Sequence, residues 1–298
     1  MAASRSGFLA ISIGIRYMLL SALGFALMGA TVKWVNQQGI PVLEIVAARA
    51  LVSLGLSYLA VKRKNISIWG HRKDLLVARG AVGTLALMCV YYSVTTLPLA
   101  EATMLQYLHP MFTALLALVF LKERLQIPTV ICIVLSFIGL LFIARPGFLL
   151  GEAVSSFPLI AVGAGILGSF GSAVAYVLVR QLAKTDEASV VIFYFPLIAL
   201  PFSLLLLGDD FIWPQSWQWL GLLLVGVFTQ MGQIGLTKAM QTETAGRASA
   251  FSYLQVMISV GLGWVVFGEL PILWTWLGGG LILLGALVNL FWKDKAQI

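Results

Sequence analysis

Ala102-Thr-Met-Leu-Gln-Tyr107-Leu108 runs on through Met111 to Lys122-Glu123, and Ala248-Ser-Ala-Phe-Ser-Tyr253-Leu254 runs on through Met257 to Gly268-Glu269. The two stretches align without a gap at a constant offset of 146, as Tyr253 against Tyr107 and Glu269 against Glu123 give. At the same offset Thr129 meets Thr275 and Gly139 meets Gly285. A chain of 298 residues with that period is two copies of one unit, 1–150 and 151–298. Both copies are almost wholly apolar, the pattern of a membrane protein built from a duplicated helical half.

Working outward, the composition agrees. Apolar residues make up 60% of the chain and charged ones 10%, with mean hydropathy +0.97. A soluble domain carries roughly 25% charged residues to face water, so most of this surface must face something else. A helix needs about 20 apolar residues to cross the hydrocarbon. Ten such runs are read, at 13–33, 41–61, 75–96, 99–121, 127–144, 158–180, 188–207, 216–239, 247–268 and 273–292. They do not alternate polar and apolar residues as barrel strands do. The fold class expected is therefore an all-α membrane protein of ten transmembrane helices around a central cavity. The first run is too long for a signal peptide, and no small-residue cleavage site follows it, so it reads as the first span. Cys89 and Cys132 fall within spans and read as small apolar fillers, not as a disulfide framework or metal pair.

Net charge is +7, and its distribution points to the lipid bilayer rather than to nucleic acid. Of the 19 Lys and Arg, Lys33 and Arg145 fall in outer loops and Arg49 and Arg79 within spans. The others, from Arg5 to Lys295, lie in segments that are inside if the N-terminus is inside. That asymmetry places both termini in the cytoplasm, in a multi-pass protein of the cell's inner (plasma) membrane. Five spans per copy is an odd number, so the second copy must cross upside down. Loop charges agree: Lys122-Glu123-Arg124 reads as inside, whereas its counterpart Gly268-Glu269-Leu270 has no basic residue and reads as outside. Inverted repeats place a substrate site near the midplane, exposed to each side by rocking.

Several segments resemble the EamA family of the drug/metabolite transporter superfamily. They are Glu44-Ile-Val-Ala-Ala-Arg49-Ala-Leu in the second span and Ala78-Arg79-Gly80 in the third. Pro98-Leu-Ala-Glu101-Ala102-Thr-Met-Leu-Gln-Tyr-Leu-His-Pro110 leads through the fourth to Lys122-Glu123-Arg124. Phe137-Ile-Gly139-Leu-Leu-Phe-Ile-Ala144-Arg145-Pro146 closes the fifth. The second copy is more degenerate, with Val256 where Pro110 stands. The resemblance implies ten helices in two inverted repeats and carriage of small metabolites, without naming one. Relatives carry amino acids, sugars and nucleotide derivatives.

Candidate substrate contacts are polar groups inside apolar spans. Thr103, Gln106, His109 and Thr113 fall on one arc of the fourth span, and Ser249, Ser252, Gln255 and Ser259 repeat it in the ninth. Such a face should avoid lipid. It reads as a pore lining or as interhelical glue. Pro110 denies the Gln106 carbonyl its helical partner and should kink the span. His109, the one histidine in a span, could move a proton or bind substrate, or simply be satisfied by a neighbouring helix. Gln230, Gln233 and Thr237 share a face of the eighth span; Tyr91 in the third and Tyr176 in the sixth suit a small amphipathic solute. Arg49 inside the second span could be a counter-ion to a carboxylate or part of a structural pair. Glu123 and Glu269 read as braces at helix ends.

Gly163-Ala-Gly165-Ile-Leu-Gly168 matches a dinucleotide fingerprint in letters only. It lies in an apolar helix without a preceding strand, where close helix packing explains it. No phosphate-binding G-x-x-x-x-G-K-[S/T] sequence is present, and no H-E-x-x-H or G-x-S-x-G. The reading is a secondary transporter of a small polar or amphipathic metabolite such as an amino acid, in the direction of export, by alternating access. It needs no cofactor and catalyses no reaction. Proton coupling through His109 or Glu101 stays open, as do monomer and homodimer. An intramembrane enzyme, a channel, and a carrier of nucleotide- or sugar-type metabolites are the alternatives.

Overall fold

The computed structural model describes residues 12–96, 105–144, 158–268 and 273–292. Glu101, Thr103, Glu269 and the boundary between the two copies lie outside them. The described residues form helices and loops with no strand. In chain order these are α1 (Ile13–Asn36), α2 (Val42–Arg63), α3 (Lys73–Thr96), α4 (His109–Phe120), α5 (Ile127–Ala144), α6 (Leu159–Leu182), α7 (Ala188–Leu207) and α8 (Ser216–Thr242). A composite α9 follows, of Ala245–Ala250, one 3-10 turn Phe251–Tyr253 and Leu254–Phe267, and then α10 (Leu273–Phe291). Among the described residues eight helices are long and apolar enough to cross a membrane; α4 and the 127–142 part of α5 are apolar but shorter. Their outward faces carry bare aliphatic side chains such as Leu205, 78% exposed, and Val265, 80% exposed. Lipid covers such a surface without penalty, and water does not.

The fourth run is not one continuous helix over 99–121. Pro110 sits in the first turn of α4, with Leu108 as the capping residue. A helix interior would lose a hydrogen bond to proline; the first turn loses nothing, because its N–H groups have no helical partner anyway. The expected kink is therefore a helix start. α9 breaks at the matching place without proline. There the Tyr253 hydroxyl donates to the Tyr107 carbonyl at 3.0 Å, and the two rings stack with centroids 6.0 Å apart.

Glycine sets the closest helix contacts. α6 lies on α3 where a Cβ on Gly168 would come within 2.9 Å of the Val90 backbone nitrogen. α1 lies on α8 where a Cβ on Gly24 would come within 2.6 Å of the Gly232 nitrogen. α5 pairs with α10 and α2 with α7, while α4 packs on α6 and α1 on α9.

Loops meet in two groups. Glu123, just past α4, accepts from Arg180 Nε of α6 and from the Ala245 nitrogen opening α9, both at 2.8 Å. Arg180 Nη1 also donates to the Met240 carbonyl of α8 at 2.6 Å. Lys64 pairs with Glu187, and the His71 nitrogen donates to Asp186 at 2.5 Å. Glu123 is thus a brace. The second group joins the Ile212 nitrogen to Glu44 at 3.0 Å and Gln218 Nε2 to the Gln38 carbonyl at 3.2 Å. It also sets Lys33 Nζ 4.7 Å over the Phe267 ring, where α9 ends.

Candidate functional site

Among the described residues, eight helices surround a cavity of about 180 Å³, and α5 and α10 contribute no lining. α1 supplies Phe25 and Met28; α2 supplies Arg49; α3 supplies Arg79, Gly83, Leu87 and Val90. Gln106 and Tyr107 enter from the residues just before α4, followed by His109. α6 gives Ser172, Ala175 and Tyr176; α7, α8 and α9 give Phe195, Gln233 and Gln255.

Of the residues expected from the sequence, Arg49, Gln106, His109, Tyr176, Gln233 and Gln255 are brought together here. Thr103 lies outside the described residues. Tyr91, Gln230 and Ser252 are not lining residues. Tyr91 is half-buried on α3 beside the lining Val90. Gln230 is spent between helices: its Oε1 accepts from Ser53 at 2.5 Å, and its Nε2 donates to Ser57 at 2.9 Å. Ser252 stands behind His109, with Oγ 3.3 Å from Nε2. Ser259, expected on the same stripe, is exposed and does not line the cavity.

His109 shows how the α4 break is used. The Gln106 carbonyl, just ahead of α4, lies 3.1 Å from His109 Nδ1 and accepts from Ser169 Oγ at 3.4 Å. Facing a carbonyl, Nδ1 carries a proton and donates to it, while the Ser252 hydroxyl 3.3 Å from Nε2 gives its own proton to the Ser249 carbonyl at 2.6 Å. The ring meets Tyr176 edge-on at 5.2 Å and Tyr107 at 5.9 Å. Glu44 takes no part: it is buried on the Ile212 nitrogen and does not pair with Arg49.

Sequence reasoning missed Arg79, Tyr107 and Phe195 as lining. Arg79 left a signal, a cation inside an apolar helix followed by Gly80 and Gly83. Phe195 left none, being one aromatic among many. Arg79 lies 5.0 Å and Arg49 5.8 Å from the Phe195 ring. Among the described residues no three His, Cys, Asp or Glu gather as metal ligands. The cavity offers two guanidiniums, amide and phenol groups, and apolar walls. It can hold a small polar or amphipathic solute.

The EamA-like transporter family profile matches residues 12–145 and again 159–291. The chain is 30% identical over 275 residues to the pseudopaline exporter CntI of Pseudomonas aeruginosa, covering 92% of this chain and 94% of that one. It is 29% identical to human solute carrier family 35 member G1, over 93% of this chain and 78% of the relative. It is 24% identical to the riboflavin transporter of Vibrio cholerae, over 95% and 94%. One solved crystal structure superposes with a TM-score of 0.79 at 19% identity, covering 93% of this chain and 94% of that chain, a likeness of fold.

Proposed function

The chain belongs to the EamA-like transporter family, and from that premise we propose that it exports a small polar or amphipathic metabolite by alternating access. It is a multi-pass membrane protein and a metabolite transporter; the substrate, the direction and the cycle are the proposal. The reading rests on one observation: a polar cavity inside an apolar bundle, lined at the breaks of α4 and α9. Broken helices near a central site are the usual way transporters present backbone and side-chain groups to a solute. Export is favoured by the relative described as an exporter. An amino acid fits the mixture of charged, amide and apolar lining.

The cycle we propose has ten spans in two inverted five-helix repeats, 1–150 and 151–298. Support comes from the helix pairs, since exchanging each helix for the one five later turns α1–α8 into α6–α3 and α4–α6 into α9–α1. Support comes also from the loops. The end of α4 meets the α6 and α8 ends, whereas the end of α9 lies by Lys33 of α1. In this reading both termini are cytoplasmic, the protein lies in the inner membrane as a monomer or homodimer, and it handles no nucleic acid. His109 stays a candidate for proton coupling.

Counterflow in proteoliposomes tests the proposal. Saturable exchange of labelled against unlabelled solute is expected. Chemical conversion of the solute would make the protein an enzyme, and an ion current that does not saturate would make it a channel.

A further inference from the structure

Arg79 lies inside α3 with 4% of its surface exposed, yet its Nε and Nη1 donate to nothing. Its hydrogen bond is a long one, from Nη2 to Gln233 Oε1 at 3.4 Å. Its guanidinium lies 5.0 Å over the Phe195 ring. Arg49 of α2, 6% exposed, reaches the same ring from 5.8 Å and touches Met28 Sδ at 3.8 Å. Two cations thus share one aromatic ring, and the sum of those two ring distances bounds their separation. The ion pairs of the described residues engage Lys64, His71, Arg72, Arg180 and Arg247. Arg49 and Arg79 join none of them, and among the described residues no Asp or Glu lines the cavity.

A buried guanidinium with unmet donors destabilises a membrane protein unless something completes it. The fold nevertheless makes a seat for this one. A Cβ on Gly83 would stand 2.5 Å from Arg79 Nη1 and 3.0 Å from the Phe195 ring. Glycine at that place lets the guanidinium lie against α3 and face the cavity. Gln233 orients it from α8. An arrangement that keeps a cation, gives it no carboxylate among the described residues and clears space for it is built for an anion that comes from outside the chain.

We propose that the cavity takes a small organic carboxylate. Its carboxylate docks on Arg79, with Arg49 as a second cation across Phe195. Its apolar part lies against Phe25, Leu87 and Met28. Guanidinium forks match the two oxygens of a planar anion. A volume of about 180 Å³, below the roughly 300–1,000 Å³ of sites for drug-sized ligands, limits the acid to a small one. The inference rests on the carrier reading and names the chemical class it carries.

Two measurements on the full chain test it separately from that reading. In the first, metabolites released by cells overproducing the protein are compared with an empty-vector control and with Arg79→Gln and Arg79→Lys. The wild type should release at least one compound bearing a carboxylate. Arg79→Gln should cut that release about tenfold or more, since truncating a charged hydrogen-bonding partner costs at least that; Arg79→Lys should cut it less. The melting temperature of Arg79→Gln should equal or exceed that of the wild type, because an uncompensated charge is removed. Released compounds that all lack an acid, release confined to phosphate esters, or full release by Arg79→Gln would overturn the proposal. So would an Arg79→Gln protein that melts well below the wild type, the sign of a structural arginine. Release of nothing above the control would sink the carrier reading, and the second measurement then decides for the site. Purified protein is melted with sodium phenylacetate and with phenylacetamide. Stabilisation by the acid alone, abolished in Arg79→Gln, supports the anion site; equal stabilisation by both, or by neither, overturns it.

Discussion

Gln230 and Gln233 stand three residues apart on α8 and have different surroundings. Gln230 ties α8 to α2 through Ser53 and Ser57, whereas Gln233 lines the cavity and bonds Arg79. Gln230→Leu should therefore destabilise the fold by about 0.6–1.7 kcal/mol per interhelical bond lost, seen as a lower melting temperature, with substrate affinity unchanged. Gln233→Ala should weaken substrate binding with a smaller effect on melting. A flux titration and a thermal scan of both variants check this. Gln106→Ala and His109→Ala should each cut counterflow while the protein still inserts in the membrane. Normal flux in both would remove the α4 stripe from the mechanism. The sequence could not separate the two glutamines. A spacing of three residues leaves about 60° between side chains on a helix, enough for one to face a helix and the other a cavity. Polar residue type inside an apolar span was legible; its direction within the span was not.

At the scale of elements, the glycines at 163, 165 and 168 show the difference between a letter pattern and a contact. Gly168 meets the Val90 nitrogen and the Ala86 carbonyl, while a Cβ on Gly163 would meet nothing within 4 Å. Gly168→Val should push α6 off α3 and destabilise by about 1–3 kcal/mol, the usual cost of overpacking. Gly163→Val should leave the melting temperature nearly unchanged. Equal effects at both positions would contradict the close approach. Helix packing was the meaning the sequence suggested for this series, and Gly165 and Gly168 carry it. The breaks were less evenly legible. Pro110 announces the α4 break, although as a helix start and not a kink. The α9 break has Val256 in its place, and there the Tyr253 hydroxyl on the Tyr107 carbonyl accompanies the 3-10 turn. Tertiary contacts of that kind leave no local mark in the chain.

For the whole molecule, fold class was the most legible property, because 60% apolar and 10% charged residues leave little choice but lipid as the surrounding medium. The proposed inversion makes a direct prediction. Arg124→Cys and Leu270→Cys, each in an otherwise cysteine-free chain, should react with a membrane-impermeant maleimide from opposite sides of the bilayer. Labelling from one side would dissolve the symmetry and the two-sided cycle with it. The contact between Tyr107 and Tyr253 carries a further consequence under that symmetry. These two residues are repeat equivalents that touch each other, so the pseudo-axis runs between them, and points on a rotation axis are the ones that stay put. The hydroxyl–carbonyl bond there is then a fulcrum: amide protons at 107 and 253 should exchange at one rate whichever way the carrier faces, while those near Glu123 and Phe267 swing between shelter and solvent.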